Sequence, residues 1–139
     1  MYQSILVPTD LAHVDKLHKS LQTAVHLAQQ YGATLCYAAV TPNGPSSVAA
    51  SAEEFEQKLK AFAAEQGETH GVKTRSVAVV AHDAAVELDD RLLDTIEETG
   101  ADLVVMASHV PGLADRLHIM HSNAGRIATR AEVSVFVVR

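Results

Sequence analysis

The chain has 139 residues, with 17 Asp and Glu against 11 Lys and Arg, a formal net charge of -6 at pH 7 and a pI near 5.7. That balance excludes the clustered basic surface that nucleic acid or an anionic membrane would need, and the length is that of one domain able to bury a core without staples. A hydrophobic fraction of 47% and a mean hydropathy of +0.06 exclude a disordered or fibrous chain, and no apolar run is long enough to span a bilayer.

Met1-Tyr2-Gln3 leads directly into Ser4-Ile5-Leu6-Val7-Pro8, an aliphatic run that ends at proline and predicts a buried parallel strand. A secretory leader would place a charged region, an apolar stretch and a small-residue cleavage site here, so a cytoplasmic chain is expected. Thr9 and Asp10 follow as the first strand-to-helix loop, where Asp10 could either orient a ligand hydroxyl or cap the helix. From Val14 to Tyr31, Leu17, Leu21, Ala24, Val25 and Ala28 recur at helical spacing, with Gly32 as a stop. His13, His18 and His26 belong to this helix and its entry and are expected at the surface. Thr34 to Val40 is the second strand. It contains the single cysteine, Cys36, which has no disulfide partner and reads as a small buried hydrophobe of a reducing compartment.

Thr41-Pro42-Asn43-Gly44-Pro45-Ser46-Ser47 is dense in turn residues and predicts a surface loop. Ala49 to Gln66 is rich in Ala, Glu, Lys and Gln, and Phe55, Leu59, Phe62 and Ala63 form its apolar stripe. Val72 to Val80 is the third strand, and residues 81–87 carry no clear pattern. Leu88, Leu92, Leu93 and Ile96 line a third helix that ends at Gly100. Asp102, next to the following strand, reads as a surface turn residue. Leu103 to Ala107 is the fourth strand, a helix from Ser122 to about Arg130 follows a long loop, and Val133 to Val138 is the fifth strand. Strands and helices alternate throughout. Parallel neighbours need crossovers, and right-handed crossovers dominate, so the alternation predicts a five-stranded parallel α/β sheet with helices on both faces, one domain over 1–139.

The stretch Ala101 to Gly112, continued by His121-Ser122-Asn123-Ala124-Gly125, combines a short strand, a loop and a hydroxyl-capped helix start. In an α/β fold this is where a ligand collects, because the helix start presents unpaired N–H groups toward the carboxyl end of the sheet. Three histidines, His109, His118 and His121, fall around the loop. They have neither a nearby Cys nor a third ligand at fixed spacing, so no metal site is expected. Ser, His and Asp are all present without a Gly-x-Ser-x-Gly elbow, and no catalytic residue is assigned.

Tyr2 to Asp10, Gly100 to His109, Ser122-Asn123-Ala124 and Val135 to Arg139 together resemble the universal stress protein family, in the family's order along the whole chain. Ala107-Ser108-His109 with the nearby Pro111 is similar to a filament-associated branch of that family. The resemblance implies an adenine nucleotide alpha hydrolase-like, Rossmann-like domain, dimeric through its C-terminal strand and cytoplasmic, many of whose relatives bind ATP or AMP. It puts Pro8, Thr9 and Asp10 beside adenine and ribose, and Val40 beside the adenine ring. It puts the phosphates against Met106, Ala107, Ser108, His109, Val110, His121, Ser122 and Asn123. The family's phosphate pattern has glycine where this chain has Ala107, Val110 and His121, and each of those side chains fills space that a phosphate needs. The expected function is therefore a homodimeric binding module for an adenine nucleotide, gripped mainly at its adenosine end, with no metal beyond Mg accompanying ATP. Two alternatives stand beside it: a nucleotide-free stress-response interaction protein, and a slow ATPase or self-phosphorylating protein.

Overall fold

The computed structural model describes residues 1–108 and 124–139. Within them the aliphatic runs become strands β1 (Ser4–Pro8), β2 (Thr34–Thr41), β3 (Thr74–Val80), β4 (Leu103–Ala107) and β5 (Ser134–Val138). The amphipathic segments become helices α1 (His18–Tyr31), α2 (Ala52–His70), α3 (Ala84–Thr99) and α4 (Ala124–Arg130). All strand pairs are parallel, and the order across the sheet is β3-β2-β1-β4-β5.

Both faces of the sheet are covered, which explains why β1 and β4 read as continuous apolar runs rather than alternating ones. On one side Ile5, Val7, Leu35, Tyr37, Leu103 and Val105 pack under α1 and α2. On the other, Leu6, Cys36, Ala38, Val104 and Met106 pack under Leu88, Leu92 and Ile96 of α3 and Ala124 and Ile127 of α4. Cys36 is fully buried as a free thiol, and burial pushes its pKa up.

Several boundaries differ from the predicted ones for local physical reasons. The first helix does not start at Val14: Leu11–Lys16 forms a 3-10 segment, and α1 begins only at His18. The second helix starts later than Ala49 because Ser51 caps it and Glu54 reaches back to the chain just before that cap. Ser51 Oγ accepts from the Glu54 N–H at 3.2 Å, and Glu54 Oε2 accepts from the Ala50 N–H at 3.1 Å. This helix also passes Gln66 and runs to His70, where Gly71 adopts a left-handed φ of 65°. The unassigned residues 81–87 contain the start of α3, at which Glu87 Oε2 accepts from the Asp83 N–H at 2.8 Å.

Asp102 has a larger role than a surface turn. Its carboxylate accepts from the Gln3 N–H at 3.0 and 3.2 Å and from the Ser4 N–H at 3.1 Å, clamping the entry of β1 to the entry of β4. Arg126 and Arg130 of α4 reach Asp89 and Asp90 of α3 at 3.2 and 2.9 Å, fixing how α4 lies beside α3.

Candidate functional site

The chain winds outward in one direction through β1, β2 and β3 and in the other through β4 and β5, so the connections diverge between β1 and β4. In an open parallel sheet the crevice at the carboxyl ends of two such strands is where a ligand is received. Here those ends are Pro8, Thr9 and Asp10 after β1 and Ala107 and Ser108 after β4. β2 flanks them: Pro8 pairs with Ala38, while β2 continues to Thr41, so Val40 projects past the end of β1 on the same edge.

The first loop is held firmly. The Thr9 N–H donates to the Ala38 carbonyl at 2.8 Å, its hydroxyl donates to the Val7 carbonyl at 2.9 Å, and the side chain is buried. Thr9 thus ties the end of β1 to β2, and Asp10 follows it at the carboxyl end of the sheet. Asp10 is partly buried and carries two contacts on its carboxylate: Oδ1 accepts from the Ala12 N–H at 3.0 Å, and Oδ2 lies 2.9 Å from His13 Nδ1. The capping role weighed for Asp10 is therefore realised, on a 3-10 turn rather than an α-helix. A carboxylate offers about four lone-pair positions, so this engagement leaves acceptor capacity for a ligand hydroxyl.

Across the crevice, the Ser108 N–H donates to the Val138 carbonyl at 2.9 Å and joins the ends of β4 and β5. Met106 is wholly buried, with its side chain in the core under α3 and α4, so only its main chain lies near the crevice. Ala107 faces the opposite core, under α1 and α2, at 8% exposure. Val40 is half-buried and packs on the α3 side. The fold thus brings Pro8, Thr9, Asp10, Val40, Ala107 and Ser108 to one end of the sheet. His109, Val110, His121, Ser122 and Asn123, and with them the long loop and the glycine departures at Val110 and His121, lie outside the described residues.

The sequence reading leaves out His13, placing it among surface histidines, whereas its ring is about three-quarters covered and bonded to Asp10. The signal is the three-residue spacing from Asp10, because residues three apart at a helix start are neighbours. His18 and His26 are exposed. Among the described residues no three His, Cys, Asp or Glu side chains converge as a metal cage would require, and no described helix is long and apolar enough to cross a membrane.

A model of the universal stress protein family matches residues 1–139. Universal stress protein G of Shigella flexneri is 30% identical over 146 residues, covering all of both chains. Among solved structures, a universal stress protein in complex with cAMP superposes with a TM-score of 0.69 at 20% identity, covering 99% of this chain and 97% of that one. The universal stress protein from Archaeoglobus fulgidus in complex with dAMP gives a TM-score of 0.69 at 18% identity, covering 99% and 98%. At these identities the structural likenesses show the fold.

Proposed function

The chain belongs to the universal stress protein family, and we propose that it acts as a cytoplasmic, homodimeric binding module for an adenine nucleotide held chiefly by its adenosine end. The observation that carries this reading is the meeting of Pro8, Asp10 and Val40 at the carboxyl edge of the sheet where the chain reverses its winding. Those residues suit a nucleoside: Pro8 and Val40 offer apolar contact to a base, and Asp10 offers an anchored acceptor to a ribose hydroxyl. That similar folds are solved with cAMP and dAMP supports an adenine ligand.

Phosphates contribute little in this reading, because Ala107, Val110 and His121 stand where the family pattern has glycine. Mg enters only as the companion of ATP, and no group is assigned to hydrolysis or self-phosphorylation. Calorimetry with adenosine, AMP and ATP tests the proposal: the three should bind within a few-fold of one another. ATP at least ten times tighter than AMP, about 1.4 kcal/mol, contradicts the adenosine-end grip. No binding of any of the three, together with no nucleotide released on denaturing the purified protein, favours the nucleotide-free interaction protein.

The dimer rests on β5. Among the described residues it is an edge strand with one side of its backbone unpaired, and its Phe136 is 44% exposed. An open apolar edge invites pairing with a second copy, and a two-fold arrangement lets one strand serve both subunits.

A further inference from the structure

We infer that His13 is a positioning residue for Asp10, holding its carboxylate in the orientation that receives a ribose hydroxyl; this rests on the nucleoside site proposed above. The two residues meet in two ways, and Ala12 adds a third contact to the same carboxylate. The His13 N–H donates to the Asp10 carbonyl at 3.1 Å, the His13 ring nitrogen Nδ1 lies 2.9 Å from Asp10 Oδ2, and Oδ1 of the same carboxylate accepts from the Ala12 N–H at 3.0 Å.

The local backbone explains the meeting. Asp10 is the extended N-cap of the 3-10 segment Leu11–Lys16, at φ -107° and ψ 104°, and its side chain folds over the first turn, within reach of the Ala12 N–H and the His13 ring. His13 itself departs from helical geometry, at φ -136° and ψ 36°, which breaks the segment just where the ring turns back toward Asp10. The contact is sheltered, with the two side chains only 24% and 26% exposed, so it is less open to competition from water than a surface pair.

The consequence for binding is preorganisation. A free Asp carboxylate turns about a broad two-fold torsion, and a ligand would have to stop that rotation. Here Ala12 and His13 hold one oxygen each and aim the remaining lone pairs in a fixed plane. The ring must present its Nδ1–H to Oδ2, which in the neutral imidazole leaves Nε2 as the acceptor.

The test uses the full chain and two probes, adenosine and 2′,3′-dideoxyadenosine, which differ only in the ribose hydroxyls that Asp10 would accept. The wild type should prefer adenosine. His13→Ala should weaken adenosine about three- to tenfold and leave dideoxyadenosine unchanged, while His13→Asn, whose amide can donate from nearly the same place, should recover most of the loss. A purely structural role would weaken both probes alike and gain nothing from asparagine, and either result overturns the inference. Nitrogen NMR of the imidazole supplies a readout that needs no ligand: the neutral ring should carry its proton on Nδ1 in the wild type and lose that preference in Asp10→Ala. A wild-type ring protonated on Nε2 overturns the positioning role. Equal binding of both nucleosides by a wild type with the Nδ1 proton overturns the ribose assignment instead, so the two failures are told apart.

Discussion

Tyr37→Phe tests the accounting of the interior most directly. Tyr37 lies in β2, paired on both sides by β1 and β3, and its side chain is wholly buried, edge-on to Phe62 with ring centroids 5.2 Å apart at 82°. Its hydroxyl has no hydrogen-bond partner among the described residues, and burial pushes its pKa from 10.0 up to about 12. Burying an unpaired hydroxyl costs roughly 1–3 kcal/mol on the scale of protein mutational data. Phenylalanine removes that cost, keeps the edge-on ring pair, and forfeits only the few dispersion contacts of one oxygen. The net at pH 7 should be a variant as stable as the wild type or up to about 2 kcal/mol more stable, a rise of several degrees in Tm for a chain of this size. A second signature follows from linkage. The native state holds the phenolic proton more tightly than the unfolded chain does, so the wild type keeps this contribution below pH 10 and loses it as pH rises from about 10 through about 12. The full loss is of order 2–3 kcal/mol. Urea unfolding followed by circular dichroism, at pH 7 and at steps up to pH 11.5, should show the phenylalanine variant gaining on the wild type above pH 10. The other titrating groups are common to both proteins and cancel in the difference. A variant less stable by more than 1 kcal/mol at pH 7 would mean that the hydroxyl is paired, and one that stays parallel to the wild type through the alkaline range would mean that the native state holds the phenolic proton no more tightly than the unfolded chain; either result overturns the argument.

Gly67→Ala, which ordinarily strengthens a helix by up to about 1 kcal/mol, should here destabilise by about 1–3 kcal/mol. Its Cβ would sit 2.7 Å from Thr74 Oγ1 and 2.9 Å from the Val72 carbonyl, and a raised Tm would show that α2 can back away from β3. Asp102→Ala strips two N–H groups of their acceptor and should cost about 1–2 kcal/mol, with faster amide exchange at Gln3 and Ser4; unchanged protection there would mean that the clamp carries no stability. For the dimer, Phe136→Lys should give a folded monomer in sedimentation, because Phe136 points out of the core, whereas lysine at Val135 or Val137 would disturb packing under α3 and α4. A Phe136→Lys protein that still sediments as a dimer removes β5 from the interface.

What the amino-acid sequence determined by itself is whatever depends on near neighbours along the chain. Ile5-Leu6-Val7 and Leu103 to Met106 could only be buried strands, the helical stripes of α1 and α3 named their buried faces, and Gly32 and Gly100 stop those helices with φ of 65° and 70°. Alternation of the two element types then required a parallel sheet. Where local signals were silent or misleading, the answer lay across the fold. Residues 81–87 hid a helix start because Val86 spends an apolar residue on solvent, at 74% exposure, and breaks the stripe that would have announced it. Gly67 sits inside α2 because β3 presses against it, which no pattern within the helix could say. With both faces of the sheet buried, period two could not tell that Met106 turns to α3 and Ala107 to α1. The order β3-β2-β1-β4-β5 places the divergence of the chain between β1 and β4, and so brings Asp10, Val40 and Ser108, distant along the chain, to one edge. The spacing from Asp10 to His13 allows the pair in either kind of turn, and the sequence pattern there suited an α-helix as well as the 3-10 segment that forms. Tertiary packing chose between them, because the energy difference between two such turns is small beside that of seating Leu17 and Leu21 in the core.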